Sequence, residues 1–409
     1  MNKAHEQQLK LLIPKPGSGS VLKAAGQWLW PGYSTSLYDR MLLTVAVVLL
    51  LLGFIMVTSA SLPAAEKLTG NSFHFAIRHL TYVMLGLLLM LSALAIPVAK
   101  WEQHSGKLLL LGLGLLVLVL LVGHTVNGAQ RWIKVGPFSI QVAELTKLFF
   151  YIYLASYLSR REDELREAKK GFIKPLILLF IASLLLLAQP DFGTLVVLAA
   201  TTVAMMFLAG APLWQFFAVF ITCVLALIGA IIAEPYRMQR ILTFMEPEKD
   251  PFGAGYQLMQ SLIAFGQGEV NGLGLGNSIQ KLQYLPEAHT DFIMSVIAEE
   301  LGFVGVVSVI ALILLLVSRA LVIGRRCLFA EQRYSGYLAY GIAIWFSLQA
   351  FVNIGAASGA LPTKGLTLPL VSYGGTSILV SSLAVGLLLR IDHERRMKGR
   401  KVTPRGGAG

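Results

Sequence analysis

Apolar runs of bilayer-spanning length recur along this chain with few residues between them, which leaves room for little besides a bundle of membrane-crossing helices. A transmembrane helix needs about 20 predominantly apolar residues. Ten stretches meet that demand: 40–60, 76–97, 107–124, 141–159, 172–189, 191–210, 212–233, 292–318, 335–355 and 367–390. The fourth is the weakest, because Gln141, Glu144 and Lys147 stand at its start. Only Gln189-Pro190-Asp191 separates the fifth from the sixth, and only Gly210-Ala211-Pro212 the sixth from the seventh, so both junctions read as tight hairpins. Composition agrees. With 56% hydrophobic and 14% charged residues and a mean hydropathy of +0.68, the chain has too little polar surface to cover a soluble core. The expected fold is an all-α polytopic membrane protein with ten transmembrane helices.

The net charge of +12 gains meaning from its location. Basic residues concentrate in 160–174 (Arg160, Arg161, Arg166, Lys169, Lys170, Lys174), in 319–333 (Arg319, Arg325, Arg326, Arg333) and beyond Arg390. With ten spans these three segments share one side with the N-terminus. The preference of cytoplasmic loops for Lys and Arg makes that side cytoplasmic, so both termini are cytoplasmic and no nucleic-acid partner is implied. The segments 61–75, 125–140, 234–291 and 356–366 then face outward, the third being a large loop between helices 7 and 8. The domain reading is a cytoplasmic tail over 1–39, a transmembrane domain over 40–390, and a basic cytoplasmic tail over 391–409. The first apolar run follows about forty polar residues, too many for the charged start of a signal peptide, so it reads as a retained helix. Cys223 and Cys327 suggest no disulfide framework.

The long outward loop is where chemistry is expected. A helix-friendly stretch from Tyr256 to Phe265 leads into glycines at 266, 268, 272, 274 and 276. Glu287, His289 and Asp291 then fall within five residues, just before the eighth span. Loops carry function when a rigid scaffold positions them, and purposeless loops of this length are uncommon. The glycine alternation at 272–276 lacks the strand–helix setting and Lys-Ser/Thr ending of a nucleotide-binding loop.

Charged residues inside or beside apolar runs are functional hypotheses by default. Glu144 and Lys147, three apart, share nearly one helix face. A local ion pair accounts for Glu144, whereas a Lys147 ammonium facing a cavity would hold a carboxylate ionised or bind a phosphate. Asp191, after Pro190, reads first as the N-cap of the sixth span and second as a cavity-lining group. Asp291 also has a capping reading, and a lone His–Asp pair is weak evidence of catalysis.

Several longer stretches change that balance. Asp250-Pro-Phe-Gly-Ala-Gly-Tyr-Gln257, Gly274-Leu-Gly-Asn277, Leu285-Pro-Glu-Ala-His-Thr-Asp-Phe292, Leu361-Pro-Thr-Lys-Gly-Leu-Thr-Leu-Pro-Leu370 and Val371-Ser-Tyr-Gly-Gly-Thr-Ser377 closely resemble the SEDS family (shape, elongation, division, sporulation). The resemblance runs from about residue 38 to residue 391, and the Thr363-Lys364-Gly365 wording is similar to the division branch rather than the elongation branch. Ala143 to Lys147 matches as well, with Val142 where the family usually has Pro.

The resemblance implies a peptidoglycan glycosyltransferase that polymerises lipid II at the septum, in the bacterial inner membrane. Asp291 is the implied catalytic base, with His289 structural or substrate-orienting. The candidate substrate-binding set is Glu144, Lys147, Arg237, Arg240, Glu287, His289, Thr363, Lys364 and Ser372, with Lys147, Arg237, Arg240 and Lys364 the cations expected near the outer face. The leaving diphosphate needs cationic side chains or a divalent cation such as Mg2+ or Mn2+. Implied partners are membrane lipids, a class B penicillin-binding protein that cross-links the strands, and other division proteins. A lipid II transporter, an elongation-type polymerase and a passive division scaffold are the rival readings.

Overall fold

The computed structural model describes residues 37–402 except 127–128, 137, 163–169, 211–212, 233–234, 251–252, 254 and 363–364. Most of the expected N-terminal tail, and Thr363 and Lys364, lie outside the described residues. The chain is mostly helical. Arg40–Thr69 (α1), His74–Ala95 (α2) and Val98–Val122 (α3) come first, followed by Val142–Arg160 (α4) and Lys170–Ala188 (α5). Phe192–Leu208 (α6), Leu213–Ile232 (α7), Pro235–Met245 (α8) and Tyr256–Gly268 (α9) lead to three long helices, Ile293–Phe329 (α10), Arg333–Ala357 (α11) and Gly375–Val402 (α12). Seven of the described helices (α1, α2, α3, α5, α10, α11 and α12) are long and apolar enough to cross a membrane, while α6 is shorter.

Several boundaries differ from those read in the sequence. Helix α1 continues nine residues past Ala60, through Pro63, and stops at Gly70, whose left-handed backbone (φ 68°) lets its N–H reach Glu66 O. Residues 367–374 are not helical, because α12 begins only at Gly375. The basic segments 319–329 and 391–402 continue α10 and α12 rather than forming a loop and a tail. Where the segment 125–140 was expected to form an outward loop lies an antiparallel sheet in the order β1-β2-β3, formed by His124–Val126 (β1), Ala129–Val135 (β2) and Phe138–Gln141 (β3). Trp132, Ile133 and Val135 are aromatic and β-branched residues of the kind that favour a strand.

Helix α4 explains its own low hydropathy. Nearly every side chain from Val142 to Leu158 is buried, so this helix faces protein rather than lipid. The apolar windows of α11 and α12 are 61% and 78% buried, whereas that of α3 is 28% buried. Helices α4, α11 and α12 are thus central and α3 is peripheral.

Charge separates the two ends of the bundle. At one end Arg319 pairs with Asp39, Arg333 with Glu162 (3.0 Å) and Arg390 with Glu394 (2.8 Å). The start of α4, the C-terminus of α11, the sheet and Asp291 lie at the other.

Helix α10 breaks at Gly302 (φ 65°, ψ −163°). The break releases main-chain groups that the glycine-rich loop takes up. Leu273 N donates to Glu299 O (2.9 Å), Gly274 N to Glu300 O (3.0 Å), Phe303 N to Glu269 O (2.9 Å) and Val304 N to Val270 O (3.2 Å). A Cβ on Gly302 would overlap Gly272 N and lie 2.5 Å from Val270 O. Gly302→Ala combines positive φ with that overlap and should destabilise the protein by about 1–3 kcal/mol. Thermal unfolding of the purified protein in detergent reads this, and an unchanged midpoint would refute the close approach.

Candidate functional site

The turn that delivers Asp291 is built from the residues just before it. Glu287 adopts a left-handed backbone (φ 56°), and its carbonyl accepts the N–H of Thr290 (3.1 Å) and of Phe292 (3.3 Å). The Glu287 side chain accepts the Thr290 hydroxyl (2.8 Å). The Asp291 carbonyl accepts Asn353 Nδ2 (2.9 Å), which also donates to Leu366 O (2.6 Å). One α11 side chain therefore holds both the turn and the 365–374 loop.

Two charged groups approach Gly365, and a third stands behind one of them. A Cβ there would lie 3.4 Å from Asp291 Oδ2 and 3.8 Å from the NH1 nitrogen of Arg131 on β2. The Arg131 guanidinium donates to Gln189 O (3.2 Å) and Pro190 O, and its NH1 lies 3.8 Å from Asp191 Oδ1. Asp191 caps α6, its Oδ1 accepting Thr194 N (3.3 Å) and its Oδ2 the Thr194 hydroxyl (2.9 Å). Capping was the first reading of Asp191, and the structure adds the arginine.

Lys147 does not stand open to a cavity as expected. Only 1% of its side chain is exposed, and its Nζ donates to Glu144 Oε1 and Gln349 Oε1, both at 2.8 Å. The Trp345 ring centroid lies 5.2 Å from the same nitrogen. Gln349 Nε2 donates onward to Thr367 O (2.9 Å), and the Thr367 hydroxyl to Ser377 Oγ (2.7 Å). Lys147 thus neutralises Glu144 and joins the Asp291 surroundings through Gln349 and Asn353, one helical turn apart on α11.

Ser372, expected among the substrate contacts, is 1% exposed and its hydroxyl accepts the N–H of Leu368 (2.8 Å). It caps a turn. The His289 ring packs between Phe75 (5.1 Å) and Tyr373 (5.3 Å), and its carbonyl accepts Tyr373 N–H (2.9 Å). Burial lowers the His289 pKa, against a smaller opposing pull from Glu287, which makes the imidazole a weak base. Arg237 and Arg240 lie on α8, but their side chains are outside the described residues.

Sequence reasoning missed Arg131, Gln349 and Asn353, and it missed a second buried cluster. Lys281 Nζ donates to Glu300 Oε1 (2.7 Å) and Ser59 Oγ (2.9 Å), and Glu299 accepts Ser278 Oγ and Ile279 N (2.8 Å). Two adjacent acids inside the apolar run 292–318 were a visible signal of the kind that singled out Glu144. No group of three His, Cys, Asp or Glu side chains among the described residues is placed to hold a metal ion. A cleft of about 560 Å³ lined by Glu102, Gln103, Ser156 and Arg160 opens at the basic end, away from this constellation.

Comparison with known proteins agrees with this picture. The profile of the FtsW, RodA and SpoVE family, described as "Cell cycle protein", matches residues 39–397. A protein of Idiomarina loihiensis named "Probable peptidoglycan glycosyltransferase FtsW" is 73% identical over 408 residues, spanning 100% of both chains. The Escherichia coli O6:H1 protein of the same name is 52% identical over 373 residues, covering 91% of this chain and 90% of its own. Among solved structures, a chain described under "Structural coordination of polymerization and crosslinking by a peptidoglycan synthase complex" superposes with a TM-score of 0.71 at 29% identity, covering 90% and 99%. Thermus thermophilus RodA superposes with a TM-score of 0.67 at 28% identity, covering 89% and 99%. The chain belongs to the SEDS family of FtsW, RodA and SpoVE, and it falls on the FtsW branch.

The buried pair generates a prediction. Lys147→Met leaves Glu144 enclosed without its counter-charge and should cost about 3–5 kcal/mol of stability. Adding Glu144→Gln should restore much of that loss. Equal unfolding midpoints for the single and double variants would disprove the coupling.

Proposed function

We propose that this chain is a peptidoglycan glycosyltransferase that extends glycan strands from lipid II during septal wall synthesis, with Asp291 as the general base. In this reading it crosses the bacterial inner membrane ten times, through α1–α7 and α10–α12. The arginine-rich end faces the cytoplasm under the positive-inside preference, and the Asp291 end faces outward. The observation that carries the reading is the approach of Asp291 and Arg131 to one glycine at that end, with Asp191 behind the arginine. A reaction at the outer face needs a proton acceptor and a cation side by side there, and this is where the chain supplies both.

The chemistry sets the roles. A sugar 4-hydroxyl attacks the anomeric carbon of a second, lipid-linked sugar, and the undecaprenyl diphosphate departs with its bonding electrons. A half-buried carboxylate beside the acceptor takes the hydroxyl proton as the new bond forms. Positive charge facing the departing diphosphate stabilises the charge that develops on it. Arg131 is a cation that faces Asp291 Oδ2 across Gly365, and Lys364, one residue before that glycine in the chain, is a second candidate. Two carboxylates with an arginine between them are a poor cage for Mg2+ or Mn2+. A divalent cation acting here would be held largely by the diphosphate itself.

Glycine at 365 leaves the space above Asp291 Oδ2 open to a ligand. The lipid tail stays in the bilayer while the sugars reach the outward end. A class B penicillin-binding protein is the partner that fits the product, since new strands need cross-linking. The likeness to a chain of a peptidoglycan synthase complex supports that pairing.

Asp291→Asn tests the assignment. The main-chain carbonyl of Asp291 accepts Asn353 Nδ2, a bond that the substitution keeps. Glycan polymer made from lipid II by the purified protein with its transpeptidase partner should fall by about 10²–10⁴-fold, the usual share of a general base. The unfolding midpoint should stay near that of the unmodified protein. Polymer at the unmodified level would end the role of Asp291 as base.

A further inference from the structure

The glycine-rich segment 269–284 is inside out. Ser278, Gln280 and Lys281 point inward and are 2%, 4% and 7% exposed. Leu275, Ile279, Leu282 and Tyr284 point outward and are 56%, 45%, 54% and 52% exposed. A segment bathed in water shows the reverse, with polar side chains out and apolar ones in. The inversion marks a surface whose solvent is not water.

The backbone is arranged to match. Gly272 N, Leu273 N, Gly274 N, Asn277 N and Leu282 N each find a main-chain acceptor, and Ile279 N finds Glu299 Oε1 (2.8 Å). The buried cation of this segment, Lys281, is neutralised by Glu300 at 2.7 Å. Internal satisfaction of polar groups is what a hydrocarbon neighbour demands of a non-helical chain. The exposed apolar face also continues another one. Val270 is joined to α10 through the Val304 N–H, and Phe303 and Val304 are 64% and 55% exposed on the flank of a helix long and apolar enough to span. Glu269, Asn271, Asn277 and Gln283 are exposed as well, which sets the depth at the boundary between headgroups and acyl chains.

We propose that residues 270–284 are not a loop in the aqueous phase but a membrane-embedded shoulder, seated on the acyl chains of the leaflet at the Asp291 end. This rests on the spanning arrangement proposed above. The shoulder leads straight into the Glu287–Asp291 turn, so the leaflet that carries a lipid-linked sugar lies against the element that presents the carboxylate. The Lys281–Glu300 pair and the glycine ladder hold the shoulder to α10 while its outer face rides in lipid.

Depth measurement tests it. Leu275→Cys, Leu282→Cys, Leu314→Cys and Lys249→Cys are made singly in a Cys223→Ala, Cys327→Ala background and spin-labelled. The full chain is then reconstituted in vesicles of phosphatidylethanolamine and phosphatidylglycerol. Power saturation compares collisions with oxygen, which partitions into the bilayer, and with a water-soluble nickel chelate. Leu314 lies mid-helix on α10 and is 60% exposed, and Lys249 has an exposed side chain outside the long helices. Labels at Leu275 and Leu282 should favour oxygen, as at Leu314, while the label at Lys249 favours nickel. Nickel-favouring labels at both shoulder positions overturn the proposal, as does shielding from both reagents, which means that protein closes the face. A nickel-favouring label at Leu314 overturns the spanning arrangement itself. Ile279→Cys, on the same face, replaces either shoulder variant that fails to give folded protein.

Discussion

A charge enclosed in an apolar bundle must be met by an opposite charge, and the central packing of this protein is arranged around one such meeting. The Lys147 ammonium is enclosed with the Glu144 carboxylate, and the Gln349 amide oxygen takes another of its protons. Removing ions from water costs several kcal/mol each, which only close geometry and further hydrogen bonds offset. Gln349 is therefore fixed in orientation, its oxygen claimed by Lys147 and Trp345 and its nitrogen left for Thr367. The pair is enclosed by protein. It sets the rotation of α11 against α4.

That rotation reaches the candidate site within one helical turn. Residues four apart lie on one helix face, so fixing Gln349 also aims Asn353 at Asp291 O and Leu366 O. The residue expected to carry chemistry is thus located by its main chain. That main-chain bond is kept whatever the protonation of the carboxylate. Arg131 is placed on the same logic, clamped by two carbonyls and by an aspartate that is itself fixed as a helix cap.

The long helices were legible because apolar length is a local property. The glycine-rich loop was legible too, through motif resemblance and a local cluster of polar residues. What escaped was non-local. Ser59 meets Glu300 across 241 positions of sequence and Arg131 meets the Gln189 carbonyl across 58. No periodicity signals either contact. Lys147 was misread for a related reason: sequence places an ammonium on a helix face but does not say whether the facing helix brings a partner. The sheet at 124–141 was passed over because a span-counting reading treats whatever lies between spans as loop. The strand-favouring residues Trp132, Ile133 and Val135 were nonetheless present. Helix α1 outran its apolar run because Glu66 and Lys67 find partners in Ser72 and Gln283 instead of ending the helix.

The two buried Lys–Glu pairs divide the work of holding this end of the bundle. Glu144 and Lys147 belong to one helix, so their attraction adds little new chain connectivity and acts mainly by presenting a charge to α11. Lys281 and Glu300 belong to different elements, and with Ser59 they tie α1, the glycine-rich loop and α10 together. Helix α10 needs that tie because Gly302 interrupts its own hydrogen bonds just beyond Glu300. A broken helix with an unpinned first turn would let the Asp291 turn drift. The ladder and the ion pair return the rigidity that the glycine removes, and they do so where the chain must also present an apolar face outward.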